Sequence, residues 1–149
     1  MQIELSKDEY RNLLDLLVIA DWVLNVHNED AEPTNKKYHE VEQKIFSYAG
    51  KMGFVDLIEY DIKYNEFFPT ADLEEGESRD YLDEYDNNTF WTELVDRLIE
   101  RDVIKEIGEK KLEKLTIEKR YEKEQPLADK YGTEFEKNGL DNLVLKMDV

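Results

Sequence analysis

The sequence predicts a mainly α-helical fold, a bundle of five to seven helices with a small β-ribbon formed by the two termini. Three observations carry this prediction. Residues 13–26 form the longest apolar run, apolar residues elsewhere recur at spacings of three and four, and both ends alternate apolar with polar residues. Because 149 residues can bury a core of their own, we expect one domain spanning residues 1–149.

The first helix is predicted from Lys7 to about Asn28. Ser6 precedes the apolar run and Glu9 follows three residues later, which is the spacing of a capping box. No glycine or proline interrupts the segment before Pro33.

The apolar residues of this helix occupy nearly its whole circumference. Ile19, Trp22 and Val26 fall among the polar residues, whereas Asp21 falls on the broad apolar side. A helix that is apolar nearly all round is usually covered on several sides. We therefore expect its second half to be covered by the chain itself or by a partner.

A second helix is predicted from about Asn35 to Met52, antiparallel to the first and closed by Gly53. Its apolar residues form a single stripe: Tyr38, Val41, Ile45, Tyr48 and Met52. Residues 54–69 are predicted as a short helix followed by an irregular aromatic segment, with a strand as the alternative for its aromatic part. Residues 69–78 are predicted as an exposed acidic loop.

The remaining chain is predicted as a series of helices. A short helix covers residues 79–85, and Asn88 or Thr89 caps the next, with a break or kink at residues 101–102. Thr116 caps a last helix that ends at residues 138–139.

Two features complete the predicted fold. Pro126 predicts either a kink in the last helix or two abutting helices. The terminal ribbon is predicted from alternating apolar residues, with loosely docked ends as the alternative: Met1, Ile3 and Leu5 at one end, and Leu143, Leu145, Met147 and Val149 at the other.

The formal charge of −17 is concentrated in the middle of the chain, where residues 54–100 hold fifteen acidic and three basic residues. This charge argues against direct binding of nucleic acid or of an anionic membrane, since both need a basic surface. A basic partner, a cation or solubility alone can account for it. With no basic leader and no membrane-length apolar run, we expect a cytoplasmic location.

Catalytic motifs are scarce. The chain has no cysteine, and none of Ser6, Ser47 and Ser78 lies in a Gly-x-Ser-x-Gly turn, so we assign no catalytic residue and expect no cofactor. His27 and His39 stand at facing ends of the first two helices, where acidic neighbours could complete a metal site. Because no Glu-x-x-His pair supports this, we interpret both as helix-end histidines and assign no metal ligand.

Asp21 is a more unusual residue than either histidine, because it lies on the apolar side of its helix. A carboxylate on the apolar side of a helix must be paired, hydrogen-bonded or protonated if it is buried. It could act as a general base or as a ligand, but no second catalytic group is evident. We therefore favour a structural partner, such as a tyrosine or an arginine from another helix.

Aromatic residues alternate with acids in the middle of the chain, where Tyr81, Tyr85 and Trp91 are candidates for contact with a basic protein surface. The alternative is a solvated acidic face over ordinary core aromatics.

Three functional hypotheses follow. The first is a non-enzymatic interaction protein, a homodimer or the binder of a basic partner, that uses Ile19, Trp22, Val26, Tyr81, Tyr85 and Trp91. The second is an acidic mimic of nucleic acid that inhibits a basic enzyme. The third is a small metal-binding or hydrolytic protein that uses Asp21 or the pair His27 and His39.

Overall fold

The computed structural model describes residues 2–27 and 35–144. Its elements are α1 (Lys7–Asn25), α2 (Lys36–Phe46), α3 (Ala49–Met52), β1 (Ile58–Asp61), β2 (Glu66–Pro69), α4 (Ala71–Glu74), α5 (Glu77–Ile107), α6 (Glu109–Leu112) and α7 (Ile117–Asn138). The fold is mainly α with a small two-stranded antiparallel ribbon, as predicted. Among the described residues, no helix combines the length and apolarity that crossing a bilayer requires.

The chain divides into two compact units, Met1–Tyr85 (unit 1) and Asp86–Val149 (unit 2), with the division inside α5. The core of unit 1 joins residues from α1, from α2 to α4 and from β1: Tyr10, Leu14, Phe46, Ala49, Ile58 and Leu73. The core of unit 2 is built on Ile99, Val103 and Leu112, against which Leu127 and Tyr131 pack. Each unit therefore has a core of its own. The single domain spanning residues 1–149 stays a prediction.

Helix α1 begins as predicted. The Ser6 hydroxyl accepts a hydrogen bond from the Glu9 backbone N–H at 3.3 Å, and the Ser6 N–H donates to the Glu9 carboxylate at 2.8 Å. Inside the helix, Tyr10 and Leu14 are buried. The Tyr10 hydroxyl donates to the Ile45 carbonyl at 2.7 Å, and burial raises the pKa of this tyrosine to about 12. These contacts anchor α1 on α2.

The predicted second helix is interrupted at Ser47 and Tyr48. The Ser47 hydroxyl donates to the Lys44 carbonyl at 2.7 Å, and the Tyr48 N–H bonds to the carbonyl three residues back, which tightens the turn. The predicted stripe is also largely wrong: Tyr38, Val41 and Tyr48 are exposed, and the buried residues on this segment are Phe46 and Ala49. Gly53 closes α3 in the left-handed conformation, as predicted.

The ribbon that the structure describes lies inside the chain. Residues 58–69 form a hairpin in which Tyr60 pairs with Phe67 and Glu59 with Phe68, so the predicted short helix there is wrong and the alternative of a strand holds for Tyr60. The Asp61 carboxylate accepts from the N–H groups of Lys63 and Tyr64 and so shapes the turn. Residues 2–6 and 143–144 form no strand, and the other predicted ribbon residues (Met1, Leu145, Met147 and Val149) lie outside the described ranges.

The predicted acidic loop contains a helix turn, α4, whose Leu73 is completely buried in the core of unit 1. The predicted helix end at residues 86–89 and the predicted break at residues 101–102 are wrong, because α5 runs continuously from Glu77 to Ile107. It ends at Gly108, whose φ of +83° favours glycine.

Helix α7 is capped as predicted. The Thr116 hydroxyl accepts from the Lys119 N–H, and Gly139 with φ +54° ends the helix after Asn138. The helix continues through Pro126, so the alternative of two abutting helices is wrong.

Candidate binding cavity

Unit 1 contains a cavity of about 340 Å³ that faces α1, α2, β2, α4 and the start of α5. Its lining combines acidic, aromatic and basic side chains: Val18, Asp21, Trp22, His39, Glu42, Gln43, Phe46, Phe67, Phe68, Pro69, Glu74, Glu75, Arg79 and Leu82. A concave, partly apolar site with a few convergent polar groups is the usual form of a binding site.

A histidine lies between two carboxylates at this cavity. Nδ1 of His39 lies 3.4 Å from Oε2 of Glu42, and Nε2 lies 3.2 Å from Oε1 of Glu66. His39 and Glu42 are one helical turn apart on α2, whereas Glu66 begins β2. We call these three residues the His39 cluster; it connects the second helix to the hairpin.

Glu42 is the most buried member of the His39 cluster, with 14% of its side chain exposed. Burial, the nearby charge of Asp21 and that of Glu66 raise its pKa to about 7, although His39 acts in the opposite direction. The carboxylate is therefore poised to gain or lose a proton near neutral pH.

The aromatic wall of the cavity carries one cation. The guanidinium of Arg79 lies 4.7 Å from the centre of the Trp22 ring, and its Nε lies 2.9 Å from the Asp83 carboxylate. Arg79 therefore already has two partners within unit 1.

The sequence placed Asp21 on the apolar side of α1 and left its burial open, and the structure shows that it is not buried. Asp21 is exposed, and its Oδ1 accepts a hydrogen bond from Nδ2 of Asn25 at 2.6 Å. It does lie two turns beyond Leu14 on the core side of α1, but that side opens into the cavity at this level. No tyrosine or arginine hydrogen-bonds Asp21 among the described residues, so the predicted structural partner is wrong.

The three candidates on α1 have different surroundings. Trp22 is half-buried under Arg79 and faces the cavity, so the chain itself covers part of this residue. Ile19 is half-buried and Val26 is 41% exposed. The exposed side of α1 also carries Leu16 and Val23, which are 61% and 62% exposed.

The candidates on α5 also separate into two groups. Tyr81 and Tyr85 are exposed, at 57% and 61%. Trp91 is half-buried in unit 2, with its ring centre 5.6 Å from that of Phe135 and its Nε1 donating to Asn87. Packing on α7 gives Trp91 a role within unit 2.

The two histidines have different environments. His27 is exposed in the turn that follows α1, whereas His39 belongs to the cluster described above. Across residues 2–27 and 35–144, no group of three or more His, Cys, Asp or Glu side chains has a geometry that could hold a metal ion. Glu29 and Asp30, the acidic residues that follow His27 in the sequence, lie outside these ranges.

Sequence reasoning did not identify Glu66, Gln43 or Arg79 as site residues. The hairpin, which the sequence indicated only through the alternative of a strand, brings Glu66 to His39 and Phe67 to Gln43. The exchange of two hydrogen bonds between Gln43 and the Phe67 backbone has no local sequence signal, because the residues are 24 positions apart.

Unit 2 holds an open groove of about 410 Å³ that contains ion-paired side chains, including Arg120, whose Nε lies 2.6 Å from Glu124. Unit 2 also has a half-buried polar cluster, in which the Tyr131 hydroxyl donates to Asp102 and accepts from Arg101. Hydrogen bonds from Arg101 and Tyr131 lower the pKa of Asp102. Because these charges neutralise one another, the groove and the polar cluster of unit 2 present less unpaired charge to a charged ligand than the cavity of unit 1 does.

Comparison with protein-family models, with curated proteins and with solved structures finds no match to this chain.

Proposed function

We propose that this protein is a non-enzymatic interaction protein whose unit 1 binds a cationic side chain of a protein partner in the cavity. The observation that carries the proposal is the position of Glu42, a nearly buried carboxylate in an aromatic-walled cavity with Asp21 and Glu66 close by. A buried carboxylate beside like charges is unfavourable, and perturbed groups of this kind are concentrated at functional sites.

The charge balance of the cavity indicates the sign of its ligand. Four carboxylates line it, from Asp21, Glu42, Glu74 and Glu75, against the single guanidinium of Arg79. Arg79 is already engaged by Trp22 and Asp83. An incoming ammonium or guanidinium would relieve the repulsion among the carboxylates, and the rings of Trp22 and Phe67 would contact its alkyl stem.

The first turns of α5 support the same proposal. Tyr81 and Tyr85 are exposed beside the exposed acids Asp80 and Glu84. Tyrosines are enriched at protein interfaces, and a negative surface accelerates encounter with a basic partner. This face supplies contact area for a partner that is basic overall.

The binding test uses a defined cationic probe, the peptide tetralysine, titrated into the full chain and followed by amide NMR. We expect saturable shifts centred on the backbone around Gln43 and Phe67, lost in Glu42→Gln and in Trp22→Ala. The matched control is Glu40→Gln, which removes an exposed acid from the same helix. Tetra(acetyl-lysine), which lacks the positive charges, should not bind.

Two outcomes would contradict this proposal: equal binding by Glu42→Gln and Glu40→Gln, or shifts spread evenly over the acidic surface. Once binding is established, a pull-down from the native host with wild type and Trp22→Ala, read by mass spectrometry, identifies the protein partner.

A second candidate, self-association through α1, rests on a separate observation. Leu16, Ile19, Val23 and Val26 recur at spacings of three, four and three on the outer side of the helix, and three of the four are exposed. This spacing is the seam of a helix pair. Sedimentation should show a dimer that Val23→Asp disrupts and Val55→Asp, at another exposed valine of unit 1, leaves intact; a monomer at high concentration would contradict it.

The nucleic-acid mimic is a weaker proposal. Rows of carboxylates would be needed, but in unit 2 basic residues alternate with the acids, as in the pairs Arg97–Glu93, Arg120–Glu124 and Lys123–Glu106. The enzymatic proposal is weaker still, since Asp21 is exposed and its carboxylate is hydrogen-bonded by Asn25 of the same helix.

A further inference from the structure

The two ring nitrogens of His39 face carboxylate oxygens that belong to different elements. The 3.4 Å approach to Glu42 stays within α2, whereas the 3.2 Å approach to Glu66 crosses to β2. Of these two contacts, only the second joins the helix to the hairpin.

This geometry fixes the number of protons that the His39 cluster needs. A neutral imidazole has one N–H donor and one lone pair, so it can donate to only one of the two carboxylates. The other nitrogen would then direct its lone pair at a carboxylate oxygen. Both contacts are favourable only when one extra proton is present, either on the ring or on one of the carboxyl groups.

One further carboxylate favours protonation of the His39 cluster, because the charge of Asp21 raises the pKa of Glu42. Asp21 approaches from α1, Glu74 and Glu75 lie at the end of α4, and Arg79 is the one cation that lines the cavity from α5. The carboxylates outnumber the cation, and the guanidinium of Arg79 is held by Trp22 and Asp83. The pKa of Glu42 near 7 places the gain of a proton in the neutral range.

We propose that binding of one proton by the His39 cluster fastens β2 to α2, and that loss of this proton loosens the hairpin from the helix. The two hydrogen bonds between Gln43 and Phe67 persist in both states but weaken when the neighbouring contact is lost. Since the proposal requires no partner, it stands or falls separately from the proposed function.

The Phe67 amide is the natural reporter, because its N–H donates to Oε1 of Gln43 at 2.7 Å beside the His39 cluster. We would measure its hydrogen exchange by NMR in the full chain from pH 5.5 to 8.5, corrected for the intrinsic pH dependence of exchange. The expected result is a protection factor about tenfold lower at pH 8 than at pH 6, a change equivalent to about 1.4 kcal/mol.

The variants separate the His39 cluster from general effects of pH. Glu66→Gln removes the charge across the contact, and His39→Gln removes the imidazole that joins the two carboxylates; each should abolish the pH dependence at Phe67. His27→Gln, at the exposed histidine, should retain it. The proposal is overturned if protection in the wild type does not change with pH, or if the change persists in Glu66→Gln or His39→Gln.

Discussion

The side chain of Gln43 hydrogen-bonds the backbone of Phe67 twice: Nε2 donates to the Phe67 carbonyl at 2.8 Å, and Oε1 accepts from the Phe67 N–H at 2.7 Å. The amide side chain thereby copies the pairing that a neighbouring strand would supply. It attaches the outer edge of β2 to α2 and fixes one wall of the cavity.

Replacing this amide should destabilise unit 1. In Gln43→Leu the partly buried N–H and C=O of Phe67 lose their partners, and we expect the free energy of unfolding to fall by about 2–3 kcal/mol. Urea unfolding measures the change, with Lys44→Leu at the exposed neighbour as the control, expected within about 0.5 kcal/mol of wild type. Similar losses in both variants would refute the structural role of Gln43.

Glu42 should make stability depend on pH. Its pKa in the folded chain, about 7, lies above its ordinary value of 4.5, so the fold binds the extra proton more tightly than the unfolded chain does. The stabilisation is therefore complete below about pH 4.5 and is lost as the pH rises through 7. We expect Glu42→Gln to match wild type at pH 4.5 and to exceed it by about 1–3 kcal/mol at pH 8. Thermal unfolding at several pH values measures this difference, with Glu40→Gln as the control. The prediction is wrong if Glu42→Gln and Glu40→Gln show the same pH dependence.

Two leucines of α1 should respond to the same substitution by very different amounts. Leu14 is completely buried, whereas Leu16 is 61% exposed. Leu14→Ala should cost about 2–5 kcal/mol, because it leaves a cavity in the core. Leu16→Ala should cost less than about 0.5 kcal/mol in dilute protein. If denaturation gives the reverse order, the orientation of α1 is wrong.

Two glycines should respond oppositely to alanine. Gly108 has φ +83° and ψ +147°, a region almost restricted to glycine, so Gly108→Ala should cost about 1–3 kcal/mol. Gly132 lies inside α7 with no atom within 4 Å of the added methyl group. Gly132→Ala should therefore stabilise by about 0.5–1 kcal/mol. Melting temperatures of the two variants, compared with wild type, test both signs.

The sequence predicted the features that depend on a few adjacent residues. Ser6 with Glu9, Thr116, Gly53 and Gly139 all act as predicted, since a cap requires only the side chain or the backbone freedom of residues within one turn. These local signals do not depend on how the rest of the chain folds.

Features that depend on distant residues were missed. The hairpin was obscured because Tyr60, Ile62 and Tyr64 are exposed and the residues that it buries, such as Ile58, show no long alternation. Asn65, with φ +58°, was the available turn signal, because asparagine tolerates the left-handed conformation. The polar residues Asn87 and Asn88 suggested a helix end but are simply exposed on a continuous helix.

The exposure of Asp21 could not be predicted from the sequence for a similar reason. A helical wheel gives the side of a helix but not the level at which its neighbours stop covering it. Leu14 meets the core, whereas Asp21, two turns later on the same side, meets the cavity. Whether a residue on this side of α1 is buried or lines the cavity depends on the positions of α2 and β2. Contacts such as that of His39 with Glu66 set those positions.

The attachment of Gln43 has a consequence for how copies of this chain behave at high concentration. A short aromatic strand with an open edge invites β-pairing between molecules, which is the first step of aggregation. At β2 that edge is occupied by the Gln43 amide at Phe67, and Pro69 has no N–H to offer. The same amide that builds the cavity wall therefore protects the hairpin from growing into an intermolecular sheet.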